Sequence, residues 1–384
     1  MNIIKEQFLL DPTVCFLNHG SFGATPLPVF QKYQEWQRVL ENQPVEFLGR
    51  KASDLLRIAR DELANFLHAQ TDDIVFVTNA TYGINTIARS LVLHEGDEVL
   101  STNHEYGAVD RTWKFLASKQ GFKYINYYVN TPVESRQSWV ENFWRGVTSQ
   151  TKVINLSHIT SPTTLIFPVE EICQRARSAG IITVIDGAHG PGQIDLDLSS
   201  LQADFYTGNL HKWLCASKGS AFLYAAPSAQ HLIEPLVVSW GWQSDNPGPS
   251  KYVDYMEWNG TRDISAFLAV PDAIRFFNQN IRGIPQNECR KMVTETSQRI
   301  CEITGLAPLS IGPVWTAQMG SSVLPENIDG NWLKNELYEK HRIEIPVIWW
   351  EDHWLIRYSY QIYNSQQDMD HLITCLESIL HNLR

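Results

Sequence analysis

From about residue 73 to residue 225, short apolar runs alternate with segments of helical periodicity, and this alternation constrains the fold more than any other feature of the chain. DDIVFVTN, DEVLSTN (97–103), KYINYYV, KVINLSHI, IITVID (181–186), ADFYTGN (203–209) and GSAFLYA (219–225) read as seven strands. TYGINTIARSLVLHEG reads as a helix stopped by Gly96, and GAVDRTWKFLASKQG as one closed by Gly121. FPVEEICQRARSAG has Pro168 near its first turn and Gly180 past its end. Proline is pre-set for a first helical turn and glycine for the left-handed residue after the last. Strands and helices in this order predict an α/β fold, a mostly parallel sheet covered by helices.

Beyond the last of these strands the pattern changes. VVSWGWQSDNPGPSKYVDYMEWNGTRD (237–263) is too irregular for a regular element and too aromatic for a plain linker, so a folded active-site or interface loop is expected there. A helix from Ile264 to about Asn278 should lead into a C-terminal part. There, APLSIGPVWTAQMGSSVLP and RIEIPVIWWEDHWLIRYSY read as strands and SQQDMDHLITCLESILHNL as a final amphipathic helix. A length of 384 residues allows two domains. The expected division is a large domain over 20–260 and a small one over 1–19 with 261–384.

Charged residues are only 19% of the chain and 43% are hydrophobic, which excludes disorder over most of the length. The net charge is −11 and no basic cluster interrupts it, so nucleic acid is not an expected partner. No run approaches the ~18 apolar residues of a membrane span, and MNIIKEQFLLDPTVCFLNHG lacks the pattern of a secretory signal. The six cysteines are scattered without a CxxC, which suggests neither a disulfide framework nor a metal site. A reducing cytoplasm is the expected location.

Three positions carry chemistry. Asp186 ends a predicted central strand and is followed by the loop GAHGPGQ. Ligands of open α/β sheets bind at strand ends, and a buried carboxylate there needs a cationic or hydrogen-bonding partner. Its plainer reading is a turn or helix cap. Lys212, 26 residues on, lies in TGNLHKWLCASKG among Leu210, Trp213 and Leu214. Desolvation there lowers an ammonium's pKa, and a free amine attacks carbonyls. The plainer reading is a surface lysine laying its stem over aromatics. In TNATYGIN (78–85), the backbone N–H groups of Ala80 and Thr81 at a helix start suit a phosphate, although Asn79 or Thr81 could serve only as a cap. A nucleotide-binding oxidoreductase is disfavoured, because no G-x-G-x-x-G follows a strand.

Together these positions resemble the pyridoxal-phosphate enzymes of fold type I. DFYTGNLHKWLCASKGSAFL is similar to the Schiff-base signature of the class V aminotransferase family. RYSYQIYNSQQDMDHL (357–372) and GTRD (260–263) resemble two further family segments. FLNHGSFGATPLPV (16–29), SHITSPTTLIFPVEEI and RIEIPVIWW look like the isopenicillin N epimerase-like branch. Cysteine desulfurases carry a nucleophilic Cys on a loop before their substrate arginine, and the matching HRIEIPVIWWEDHW has none.

The resemblance implies a three-layer α/β/α sandwich with a seven-stranded sheet, a smaller α+β domain, and pyridoxal 5′-phosphate as cofactor. It implies that Lys212 holds the cofactor as a Schiff base and shuttles the α-proton. Asp186 would pair with the ring nitrogen, His189 would reach the phenolic oxygen, and Tyr106 would stack on the ring, with His104 the alternative. Ala80, Thr81, Asn209 and His211 would take the phosphate together with Thr261 of a second subunit, making a homodimer with shared sites. Arg357 would clamp the substrate carboxylate. Asn18 and His19 would line the entrance, and Ser161 stands where relatives often carry Asn near the ring. The expected reaction is at the α-carbon of an amino acid, epimerisation or transamination, with Tyr106, His104 or His19 as opposite-face proton donor. Carbon–sulfur β-elimination or desulfuration is the alternative, and a non-catalytic cofactor-binding relative a remoter one.

Overall fold

The computed structural model describes residues 4–382. The seven expected strands all form: β1 (Ile74–Val77), β2 (Glu98–Thr102), β3 (Lys123–Tyr127), β4 (Thr151–Ser157), β5 (Ile182–Asp186), β6 (Phe205–Asn209) and β7 (Ala221–Ala225). They make one sheet in the order β1-β7-β6-β5-β4-β2-β3. Only β7 runs antiparallel to its neighbours. The longer helices of this part are α1 (Leu27–Asn42), α2 (Ala52–Leu67), α3 (Ala80–Ser90), α4 (Gly107–Gln120), α5 (Arg136–Trp144) and α6 (Val169–Ala179).

The period of two along each strand sorts side chains between two cores. Phe76, Leu100, Ile154, Ile185, Tyr206 and Phe222 face one side, where α1, α2, α5 and α6 cover them with Val29, Leu56, Leu63, Trp139, Phe143 and Ile172. Val75, Val99, Val153, Val184, Phe205 and Leu223 face the other, under Ile84 and Ile87 of α3 and Trp113 and Leu116 of α4. Each such side chain fully removed from water contributes roughly 1.5–3 kcal/mol. The result is the three-layer sandwich.

Four expectations are corrected. Helix α3 ends at Ser90, six residues before Gly96. Leu91 and Leu93 are buried while Val92 between them is 79% exposed, a period of two that only an extended chain satisfies. The stretch 237–263 contains α7 (Lys251–Glu257), capped by the Ser250 hydroxyl and burying Tyr252 and Met256 one turn apart. The helix expected over Ile264–Asn278 is split at Ala269 into α8 (Ser265–Leu268) and α9 (Val270–Phe276). Pro271 lacks the N–H that a continuous helix would need. In APLSIGPVWTAQMGSSVLP only Met319–Val323 is a strand, and Trp315 is buried from a single 3-10 turn instead.

The C-terminal part adds α10 (Ile284–Thr304), β8 (Met319–Val323), α11 (Gly330–Glu339), β9 (Val347–Trp350), β10 (His353–Ser359) and α12 (Gln366–Asn382). Its three-stranded antiparallel sheet has the order β9-β10-β8. Val293, Ile300, Leu333, Leu337, Ile356, Leu372 and Leu376 form its own core, which Leu17 joins from the N-terminal segment. Cys15–Phe16 pairs in parallel with Ile343–Glu344. Phe267, Val270, Ile274, Phe277 and Ile281 pack into the same core as Phe76 and Leu100 of the central sheet, and Phe8 joins them there.

Candidate active site

Parallel strands in register bring their ends to one edge. Ser157 of β4 is paired with Asp186 of β5, and Asp186 with Thr207 of β6, two residues before Asn209. Next to these ends lies a cavity of about 340 Å³. It is lined by Ala80, Thr81, Tyr106, Ser161, Asp186, His189, Asn209, His211 and Lys212, all named from the sequence, and by Ser21, Phe22, Ser157 and Ile159, which were not.

Lys212 is half-buried in this cavity with its Nζ 3.1 Å from His189 Nε2. Burial, reinforced by the Arg357 charge, pulls its pKa down to about 7, with Asp186 opposing. The reading of Lys212 as a surface lysine therefore fails. Burial also raises Asp186, although the Ala188 N–H donates to its Oδ1 at 2.9 Å and Lys212 favours its charge. His189 receives the Trp213 indole N–H on Nδ1 at 3.2 Å.

At the start of α3 the Ala80 N–H donates to Asn209 Oδ1 at 2.9 Å, and Asn79 caps the Tyr82 N–H. Ala80 is thus committed within the protein, while Thr81 and Asn209 line the cavity, the Thr81 N–H lying in the helix's first turn where it has no partner within the helix. His211 donates through Nδ1 to the Ser220 carbonyl, and burial holds it at about 4.

Arg357, on β10, does not line the cavity but reaches its wall. Its Nη1 donates to the Ser161 carbonyl and hydroxyl at 2.9 and 3.0 Å, and its Nη2 to the Ser21 hydroxyl at 2.9 Å. Two of its five N–H groups are left, enough for a bidentate grip on a carboxylate. Burial lowers the guanidinium to about 10, which keeps it charged at neutral pH. Ser161 thus acts on the arginine.

Two histidines lie elsewhere. His104 is buried away from the cavity, with Nε2 on the Val129 carbonyl at 3.0 Å and Nδ1 on the Thr163 hydroxyl at 2.7 Å. That leaves Tyr106, 47% exposed, as the aromatic in the wall. His19 does not line the entrance. Its Nε2–H donates to the Lys212 carbonyl at 2.9 Å and its Nδ1 accepts from the Tyr363 hydroxyl at 2.9 Å. A carbonyl only accepts, so the proton sits on Nε2, and burial pulls the ring to about 3 and keeps it neutral, which leaves Nδ1 to accept from the hydroxyl. Asn18 is likewise occupied, donating to Glu344 and accepting from Ser21. Thr261 is exposed and lies outside the cavity; the stretch 237–260 lies outside it too, and part of it lines a separate cavity of about 990 Å³ with Trp242, Tyr252 and Met256.

Glycine is required twice beside the lysine turn. Gly23, at φ +70°, packs so closely that a Cβ would meet the His211 carbonyl oxygen and come within 2.9 Å of the Lys212 Cα. Gly192, at φ +82°, meets the backbone of Trp213 and Leu214 at 2.6 Å from the other side.

Sequence reasoning also missed Glu105. Buried behind Asp186, it accepts from the Ser157 N–H and hydroxyl at 2.9 and 2.7 Å and from the Thr102 hydroxyl at 2.8 Å. Burial, with Asp186 adding to it, pushes its carboxyl up to about 8. Its one signal is its place next to Tyr106. Among the described residues no cluster of three or more His, Cys, Asp or Glu could hold a metal ion, and no helix is long and apolar enough to cross a membrane.

The family Aminotransferase class-V matches residues 21–372. Isopenicillin N epimerase of Amycolatopsis lactamdurans is 34% identical, covering 98% of this chain and 97% of its own. A probable chloroplastic L-cysteine desulfhydrase of Arabidopsis thaliana is 28% identical over 97% of this chain and 84% of its own. Among solved structures, a mutant of C-DES with glycine covalently linked to its pyridoxal-phosphate cofactor superposes with a TM-score of 0.83 at 19% identity, covering 97% of this chain and 98% of that one. With the match running from the Ser21 turn through Lys212 to the strand of Arg357 and on into the last helix, the chain belongs to the class V aminotransferase family.

Proposed function

We propose that the chain moves the proton on the α-carbon of an amino acid or amino-acid-derived substrate, as an epimerase or aminotransferase. The observation that carries this reading is a half-buried amine, its pKa lowered to about 7, in one cavity with a buried carboxyl and beside an arginine with donors to spare. The protein is a pyridoxal-phosphate-dependent enzyme of its family. The residues present fit that cofactor: a carbonyl-reactive amine, a carboxyl at a central strand end, and a helix start with a free N–H stand around one cavity.

When bound, the cofactor supplies a sink for the electron pair of a broken Cα–H bond. Lys212 would bind it covalently and afterwards take and return the α-proton at Nζ. Asp186 would hold a proton at the ring nitrogen. Thr81, Asn209 and His211 would take the phosphate, with Thr261 of a second copy proposed to complete the set. Tyr106 would cover the ring, and Arg357 would orient the substrate carboxylate. Of the three candidates for a second proton donor, Tyr106 alone lines the cavity, which supports it in that role.

The relative named an L-cysteine desulfhydrase supports β-elimination of a sulfur substituent as a second reading. A desulfurase using a cysteine nucleophile has less support, since no cysteine is among the cavity-lining residues. A non-catalytic role is opposed by the convergence of Asp186, Lys212 and Arg357. The test is α-proton exchange in deuterated water across a panel of amino acids, with Lys212→Ala as control. Exchange without loss of the β-substituent is the expected result. Release of sulfide and pyruvate from cysteine, with no exchange on any other amino acid, would install the lyase reading in its place.

A further inference from the structure

We infer that Trp213 is a positioning residue: its indole N–H sets the tautomer of His189, so that Nε2 presents a proton to whatever Lys212 Nζ or a bound ligand places opposite it. The inference rests on Lys212 being the reactive amine. An indole N–H can only donate, so at 3.2 Å it requires a lone pair on His189 Nδ1. A neutral imidazole with its lone pair on Nδ1 carries its proton on Nε2. That Nε2–H lies 3.1 Å from Lys212 Nζ. The contact is a hydrogen bond only if the amine offers its lone pair, and an ammonium in the same place would set proton against proton.

The surroundings agree. His189 is buried and held well below its ordinary pKa, first by burial and then by the neighbouring Lys212 and Arg357, so the ring is neutral. Lys212 itself faces Arg357, which disfavours its charge, and Asp186, which favours it. The indole cannot easily turn away. It is fully buried against Ile159 and Met319, and its ring lies 4.9 Å from that of His19. A phenylalanine would fill most of the same space, so the N–H is the part of this side chain that packing does not explain.

The experiment uses the full-length protein, cofactor-loaded and after cofactor removal, with ¹⁵N in its histidine rings. The His189 signals are assigned by their loss in His189→Gln. The wild type should show Nε2 protonated and Nδ1 bare in both forms. In Trp213→Phe part or all of the population should move to the Nδ1–H tautomer, and the pH midpoint of the loaded protein's near-visible absorption should shift with it. A wild type protonated on Nδ1 overturns the inference, as does a folded Trp213→Phe with tautomer and midpoint unchanged. If that variant fails to fold, the wild-type spectrum still decides. No substrate is present in these measurements, so failure of the α-proton exchange test would leave this result standing, and the reverse.

Discussion

The Arg357 guanidinium is held before any substrate arrives, by two serines from distant parts of the chain. Lysine cannot copy this fork, so Arg357→Lys should lower kcat/KM by a factor equivalent to about 1.5–3 kcal/mol for substrates bearing an α-carboxylate. Amines without the carboxylate should be affected little, and steady-state kinetics on such a pair is the check. Glu105 makes a second prediction, about stability. Its folded pKa of about 8 lies above the ordinary 4.5, so the carboxyl's contribution is complete below about 4.5 and is lost as pH rises through 8. Glu105→Gln resembles the protonated acid and does not titrate. Relative to wild type it should gain with rising pH across that window, by about 1.4 kcal/mol per pH unit at most. Calorimetric unfolding of both proteins across the window measures this, and a constant difference would refute it.

At the scale of elements, the central sheet was legible because buried parallel strands read as unbroken apolar runs between polar stops. The parallel ITVID needs no partner to be seen as a strand, and nor does AFLYA, which runs antiparallel but is buried along its whole length. Lys212 and Asp186 were legible for the same reason, as polar residues where such runs end. The failures have a common cause in tertiary contact. His19 and His104 look like site residues in one dimension, but His19 finds its partners 193 and 344 residues away, and His104 finds a carbonyl and a hydroxyl across the fold. Helix α7 was hidden because its capping serine follows a run of Trp, Gly and Pro that reads as loop. The turn at Gly23 gives the element-scale prediction. Gly23→Ala would press a methyl group onto the backbone of His211 and Lys212 at a left-handed φ. Cofactor retention through gel filtration should fall well before the far-ultraviolet dichroism changes. Equal loss of both would mean that the glycine serves the fold alone.

At the scale of the whole molecule, the proposed dimer has a definite test. Thr261 is exposed in the protomer and outside the cavity, as a residue serving a neighbour would be. Thr261→Ala should weaken cofactor retention, and dilution should release cofactor from the wild type as the dimer parts. An active monomer by light scattering excludes the shared site. Within one protomer, residues 15–23 close over the Lys212 turn only when the strand near Ile343, the arginine at 357 and the tyrosine at 363 are in place. Translation delivers those partners well after Lys212, so the surroundings that hold the lysine turn and lower the amine's pKa, Arg357 among them, are incomplete until the chain has been made past residue 363.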